Sequence, residues 1–498
     1  YGAVTLCREK LHLSYPVADD SGNGLRPAML IAKLKRIFPK LLVSYDLDAD
    51  VSQAQNMVAS KQSAYTYVLT NMRTLSENKL ADKLFKALQN DDVYGPRLHR
   101  AEQFLQYQNA AGRLSRNTVS RLYGDNLYGS VSRFERYAMC PFSFFVEYGL
   151  KAKERKVLKV EAPDIGSLLH EIIERFSEEM GRQNKSFRTI DAKEQKQITD
   201  ALIDEMFSVM FIKNIYSAGR LDALKKRLQS LVSKSVWAIC RHVAMGKFEP
   251  AAFEVAFDKN GELPPVTVPL PDGSTLTMRG RIDRIDTFLH EGTLYLKVID
   301  YKSGSKGYSL ADIFNGTTLQ LAVYMVAATE GFSATGTADA GFGGMFYFRL
   351  DDPVADGAPE TETSEADALK VFKMSGLASD NPAVIRAMDD ELSGWSCVIP
   401  VYLKSDGTIS QTQSKTASLA QFDDLKRYIK RTLSKIGQEI MDGNVEISPI
   451  KSAKGLPCTY CKYVSVCGFD TSTHRCRRAE QFSSDEEIWE QIRETDIR

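Results

Sequence analysis

The segment Leu294-Tyr295-Leu296-Lys297-Val298-Ile299-Asp300-Tyr301-Lys302 reads as an apolar strand ending in a carboxylate and an amine two residues apart. Strand side chains alternate between faces, so Asp300 and Lys302 share one face. A carboxylate beside a lysine at a strand end can hold a divalent cation against a reacting phosphate. Mg²⁺ takes oxygen ligands and keeps several waters. One of those waters can become the nucleophile while the cation neutralises charge growing on the phosphate. The lysine can orient that water or stabilise that charge. The preceding strand offers a second carboxylate, Asp283, within Gly280-Arg281-Ile282-Asp283-Arg284-Ile285-Asp286. Upstream, His170 follows Gly166 in a helical pattern and can add an imidazole ligand. Downstream, Gln320 and Tyr324 are four residues apart, which places them on one helix face.

Taken singly, each feature has an ordinary reading. Asp-x-Lys is a common tripeptide, and a lone histidine is usually structural. Asp283 can pair with Arg281 or Arg284, and Gln320 and Tyr324 can be a surface pair. Their order along the chain carries the weight: Gly-x-x-x-His, then Gly-Arg-Ile-Asp-Arg-Ile-Asp, then Asp-Tyr-Lys-Ser-Gly, then Gln-Leu-x-x-Tyr.

A second constellation is made of thiols. Of the eight cysteines, Cys458, Cys461 and Cys467 crowd into a Cys-x₂-Cys-x₅-Cys pattern. Structural zinc sites usually show two Cys-x₂-Cys pairs or a Cys/His pair, and this spacing supplies only one pair. Two completions are open. Cys476 or His474 can close a zinc site, or a distant cysteine can close an Fe₄S₄ site, which takes four cysteinates. Cys140, in Arg136-Tyr137-Ala138-Met139-Cys140-Pro141-Phe142, is the distant candidate.

From His170 to Tyr324 the sequence resembles the RecB-type branch of the PD-(D/E)xK nuclease superfamily. The resemblance implies a mixed sheet flanked by helices (an α/β fold), with His170, Asp283 and Asp300 as metal ligands. It implies Lys302 as the catalytic lysine, and Gln320 and Tyr324 as residues that contact DNA and support the site. Glu254, just ahead of the hairpin, is an accessory acidic candidate. One cysteine before the core and three after it is the pattern of the iron–sulfur-bearing members. That pattern implies a [4Fe-4S] cluster on Cys140, Cys458, Cys461 and Cys467, stapling the two ends of the domain and supporting DNA-end binding. Cys7, Cys240, Cys397 and Cys476 fall outside it.

Arg8-Glu9-Lys10-Leu11-His12-Leu13-Ser14-Tyr15-Pro16 and Phe38-Pro39 resemble a superfamily 1 helicase remnant. Within the branch, this points to the AddAB helicase–nuclease family rather than to a stand-alone nuclease of CRISPR adaptation or replication. It implies an AddA-type partner as the motor of a heterodimer acting on single- and double-stranded DNA ends, with this subunit cutting the 5′-ended strand. No Gly-x₄-Gly-Lys-[Ser/Thr] occurs, and Gly304-Ser305-Lys306-Gly307 does not fit it, so ATP hydrolysis is expected of the partner. A reading from another class is a DNA-end clamp with a vestigial nuclease site. The intact His170, Asp283, Asp300 and Lys302 set favours a Mg²⁺-dependent exonuclease.

The elements that must position these residues are legible in outline. Leu11, Leu13 and Tyr15 alternate within a strand expected over 1–15, Asp19 to Gly24 reads as a turn, and a helix is expected from Pro27 to Ile37. Residues 51–107 read as helical, and 112–129 as a linker. Ser132 and Glu135 fit a capping box that opens the helix leading to Cys140. Lys151 to Lys159 is basic, and amphipathic helices run from Gly166 to about Met245. Strands are expected over 277–288 and 293–301, joined at His290-Glu291-Gly292. A helix over 317–329, a strand over 341–350, an acidic insertion over 351–368 and a helix over 419–441 complete the pattern. The expected domains are a helicase-like remnant with a helical region (1–125), a RecB-type nuclease domain closed by the cluster (126–480) and a charged tail (481–498).

Composition sets the bounds. The 498 residues suffice for two to four domains, and 43% hydrophobic with 26% charged residues is ordinary for a globular protein. A net charge of +0 advertises no global affinity for nucleic acid, although a local basic groove suffices for one. No apolar run is long enough to span a bilayer. The cysteines are too sparse for a disulfide scaffold, so a reducing cytoplasm is expected. The absence of an initiating Met leads to the expectation that the chain starts inside a longer protein.

Overall fold

The computed structural model describes residues 6–18, 24–44, 58–105, 109, 111–153, 162–209, 218–304, 307–334, 339–350, 365–471 and 474–497. The chain forms two compact units, Tyr1–Gln108 and Asn109–Arg498. The first carries helices α1 (Met29–Ile37), α2 (Lys61–Thr70), α3 (Lys79–Gln89) and α4 (Gly95–Leu105). Ala64, Val68, Met72, Leu88 and Leu98 form its small core. The strand expected over 1–15 does not form in its described part, residues 6–15, where Leu11 and Leu13 are exposed. A strand needs a neighbour to satisfy its backbone, and none of the described residues supplies one there. Most of the turn expected over 19–24, of the basic stretch 151–159 and of the acidic insertion 351–368 lies outside the described residues, at 19–23, 154–159 and 351–364.

The second unit opens with α5 (Arg116–Tyr123), β1 (Leu127–Ser130) and α6 (Val131–Met139), then α7 (Ala162–Arg182), α8 (Ala192–Val209) and α9 (Ala218–Ala244). Strands β2 (Glu249–Phe257), β3 (Val266–Pro269), β4 (Thr275–His290) and β5 (Thr293–Lys302) follow, then α10 (Gln320–Ala334), β6 (Asp339–Arg349) and β7 (Ser375–Ser379). It closes with β8 (Thr416–Ala417), α11 (Leu419–Met441) and α12 (Asp485–Ile497). The stretch 112–129, expected as a linker, contributes a helix and a strand to the second unit, which spans Asn109–Arg498. Residues 485–497, expected within a charged tail, are a helix whose Ile488, Trp489 and Ile492 lie in the main core. Their charged neighbours hide an i, i+1, i+4 apolar stripe.

The sheet runs β1-β4-β5-β6-β7-β8, with β2 and β3 also paired to the long β4. It is mixed: β4 and β5 are antiparallel, β5 and β6 parallel, β6 and β7 antiparallel. The β4–β5 hairpin turns through Glu291 and Gly292, both at positive φ, 48° and 81°, the conformation that matches the twist of the flanking strands. Alternation splits the strands between two cores. Ile285 and Val298 face α10 and α11, while Ile299, Tyr301 and Phe346 face α7 and α9. Helix α10 is apolar nearly all round, with Leu321 to Thr329 buried, so it lies inside the unit rather than on its surface.

Candidate active site

The β4–β5 pairing decides the geometry. The ladder's last pair is Arg284 with Ile299, and one step beyond it come Asp283 and Asp300. The Tyr301 amide donates to Asp283 Oδ2 at 2.7 Å. His170 Nδ1 lies 3.4 Å from the same oxygen, and His170 Nε2 lies 3.1 Å from the Tyr301 carbonyl. Helix α7 can bring His170 this close because Gly166 has no side chain; a Cβ there would sit 2.8 Å from Ser303 Oγ. That explains the glycine of the Gly-x-x-x-His pattern.

Glu254 completes the group. Ligand atoms of His170, Glu254 and Asp283 all lie within 4.8 Å of one another. Glu254 adopts φ 49°, the left-handed region, at a cost of roughly 1–2 kcal/mol for a residue with a Cβ. The β2–β4 pairing passes from Phe253↔Arg284 to Val255↔Ile282, with Glu254 and Asp283 between these pairs. Strain of this kind clusters at functional sites. The set differs from the expected one: Glu254 joins His170 and Asp283, while the fully buried Asp300 faces Lys302 and Gln320.

Electrostatics suit a cation. Burial, then the Asp300 carboxylate, pushes the Asp283 carboxyl well above its usual range. Burial, then Glu174, carries Glu254 to about 7. Burial, then Lys302, pulls His170 down and favours the neutral ring. Clustered carboxylates beside a neutral imidazole are the donor set that a divalent cation requires, and its charge would relieve their repulsion.

Gln320, the first residue of α10, organises the other half. Its Nε2 donates to Asp300 Oδ1 and lies at hydrogen-bond distance from the Tyr324 hydroxyl, both 2.8 Å, and its Oε1 accepts from Lys302 Nζ at 2.9 Å. Lys302 also pairs directly with Asp300. All six residues singled out in the sequence, His170, Asp283, Asp300, Lys302, Gln320 and Tyr324, thus belong to one connected site. Neither nearby arginine is turned to Asp283. Arg281 lies 3.6 Å from Glu254, and Arg284 turns to the opposite face and binds Asp286.

One expectation is corrected. Helix α6 is capped from Ser130, without a side-chain hydrogen bond, so the Ser132–Glu135 capping box does not form. Glu135 is buried and accepts from the backbone of Leu319 and Gln320 instead. A local motif gave no hint of a partner 184 residues away.

The cysteines form a second site. Cys140, Cys458, Cys461 and Cys467 line one cavity, walled by Met139, Phe142 and Ile447 among others. Cys140 caps the C-terminus of α6, and Cys467 ends a short helix closed by Gly468 at φ 58°. Burial, then the neighbouring Cys140, Cys461, Cys467 and Cys476 thiols, pushes the Cys458 thiol up to about 11. Protein contacts hold the flanking segments together: Arg477 donates to the carbonyls of Ala138 (2.7 Å) and Ser448 (2.9 Å), and the Phe142 amide to the Glu446 carbonyl (3.1 Å). Among the described residues, no trio of these thiols converges within 4.8 Å. His474 is engaged by Asp470 and Asn109.

Comparison with known proteins agrees with this geometry. Residues 129–468 match the sequence profile of the PD-(D/E)XK nuclease superfamily. Proteins named as the B subunits of ATP-dependent helicase/deoxyribonucleases are similar along nearly the whole chain. The one from Clostridium botulinum (strain Hall) is 34% identical over 507 aligned positions, covering 99% of this chain and 44% of that protein. Those from Acetivibrio thermocellus and Ruminiclostridium cellulolyticum are each 32% identical, covering 98% and 100% of this chain and 43% and 44% of theirs. The chain thus spans less than half the length of these relatives. Among the described residues, no helix is long and apolar enough to cross a membrane.

Proposed function

Since the chain belongs to the PD-(D/E)XK nuclease superfamily, we propose that it is the nuclease component of a helicase–nuclease: a Mg²⁺-dependent exonuclease that degrades single-stranded DNA, 5′ to 3′. It acts in the cytoplasm, in processing double-strand breaks for homologous recombination, with an AddA-type protein as its motor. The carrying observation is the convergence of His170, Glu254 and Asp283 beside the Asp300–Lys302–Gln320 network.

In this reading His170, Asp283 and Asp300, joined by Glu254, would hold Mg²⁺, which would supply an activated water and neutralise charge on the scissile phosphate. Lys302 orients the attacking water and sets positive charge beside the phosphate. Gln320 fixes Lys302 and Asp300 against each other through both ends of its amide, and the Tyr324 hydroxyl fixes that amide. Such pre-set geometry lowers the barrier without reorganisation at the moment of reaction.

Cys140, Cys458, Cys461 and Cys467 are proposed to hold a [4Fe-4S] cluster that ties α6 to the C-terminal segment. The gathering of Cys140 with Cys458, Cys461 and Cys467 around one cavity supports a core held by four cysteinates.

The test is Mg²⁺-dependent cleavage of end-labelled DNA by the chain assembled with its helicase partner, comparing wild type with Asp300→Ala. The proposal expects the variant to unwind normally and to lose cleavage of the 5′-ended strand. Equal cleavage by both would leave a DNA-end clamp, with the chemistry in the partner.

A further inference from the structure

The first amides of a helix have no partner within it. Helix α10 begins at Gln320, and its leading amides are taken by a side chain from another element. Glu135 Oε1, on α6, accepts from Leu319 N at 2.6 Å and from Gln320 N at 3.1 Å. Glu135 is 7% exposed. A carboxylate is tolerated at that depth because helix amides and the positive end of the helix dipole compensate it.

What begins at that point of α10 is the hinge of the candidate active site. Gln320 is the residue whose amide Glu135 pins, and its side chain binds Asp300, Lys302 and Tyr324. We infer that Glu135 is a positioning residue of the nuclease site, one that fixes the start of α10 and so sets Gln320 against Asp300 and Lys302. The inference rests on the nuclease reading above. Both of these Glu135 bonds run to backbone, so it works by reach rather than by charge at the reacting atoms. It also lies five residues before Cys140, which caps the same short helix, so the segment bearing the first cysteine carries the prop of the active site.

Two substitutions separate reach from charge. Glu135→Gln keeps an oxygen where the amides need it and loses the charge, while Glu135→Asp keeps the charge and withdraws the oxygen by one methylene. In single-turnover cleavage by the assembled complex, Glu135→Asp is expected to slow the chemical step about tenfold to a hundredfold, the scale set by displacements near 1 Å. DNA affinity stays unchanged, and Glu135→Gln stays near wild type. Amide exchange over 317–324 should accelerate in the Asp variant alone. A merely structural glutamate would lower stability in both variants and leave the rate per folded molecule alone. Wild-type cleavage and exchange by Glu135→Asp, or a slower Gln than Asp variant, overturns the inference. Asp300→Ala run in parallel distinguishes the failures. If it too cleaves normally, the nuclease reading falls; if it is dead while Glu135→Asp is normal, only the positioning role falls.

Discussion

Replacing Asp286 by Asn should come close to unfolding the nuclease unit, although Asp286 takes no part in the chemistry. It sits on the sheet face opposite Asp283, fully buried, and binds two cations at once. Arg284 Nε and Nη2 approach its oxygens at 2.5 and 2.8 Å, and Lys297 Nζ at 2.8 Å. Arg284 and Lys297 are 2% and 3% exposed. Burial pushes the Asp286 carboxyl up, but Arg284 and Lys297 together outweigh it and hold it below its ordinary value. Removing the charge leaves a guanidinium and an ammonium side by side in a dry core. Breaking one buried pair costs about 3–5 kcal/mol; here one carboxylate serves two partners, so the upper end of that range is expected. Total stabilities run to about 5–15 kcal/mol, so the loss should be large in urea denaturation followed by circular dichroism. Replacing all three together, Arg284→Met with Asp286→Leu and Lys297→Met, removes every charge of this triad and should recover stability to within about 2 kcal/mol of wild type or better. A loss below about 1 kcal/mol for Asp286→Asn, or a triple variant no better than the single, would refute this reasoning.

Further outcomes can be checked in the same protein. His242 is buried beside this triad, and burial, then Lys297 and Arg284, pull it to about 3. Its folded pKa is depressed, so the unfolded chain binds the extra proton, and the His242 contribution to stability should fall as pH drops from about 6.5 toward 3, by up to about 1.4 kcal/mol per unit. The raised Glu254 and Asp283 carboxyls contribute the opposite slope, so the His242 slope should appear as the difference between wild type and His242→Phe when both are denatured at pH 7 and pH 5. Gln320→Leu keeps α10 but removes the amide that holds both Asp300 and Lys302, and should reduce cleavage about a hundredfold, as a single-turnover rate measurement would show. Cys140→Ser should lose iron and the visible absorbance of the cluster; retention of full iron would break the staple. Glu254→Gln should weaken Mn²⁺ binding in calorimetry by at least about tenfold, the low end of what changing even a ligand's hydrogen-bond partner costs.

The site is legible in the sequence because its residues obey short-range periodicity. Asp300 and Lys302 stand two apart on a strand, and Gln320 and Tyr324 four apart on a helix. The Gly166 and His170 pair makes sense once the Ser303 contact is seen. The two residues less visible in advance, Glu254 and Glu135, act across long sequence separations. Glu254 depends on an unusual backbone angle in β2, which no composition announces. Glu135 looks like half of a local capping box because Ser132 stands three residues before it; its partners are 184 and 185 positions away. In the fold, strands with strong alternation are readable, and α11 matches its expected bounds. The segment 112–129 fails as a linker because polar residues there cap and cover a helix that packs on the unit. Helix α12 is hidden by its charged face.

Cleavage of DNA where His170, Asp283, Asp300 and Lys302 meet would tie the cation and the chemistry to separate residues. The most direct measurement pairs Mn²⁺ binding with single-turnover cleavage in the assembled complex, for Asp300→Ala and Lys302→Ala. Asp300→Ala should lose both the cation and cleavage, whereas Lys302→Ala should keep the cation and lose cleavage. Wild-type cleavage by both variants would place the chemistry elsewhere, in the helicase partner.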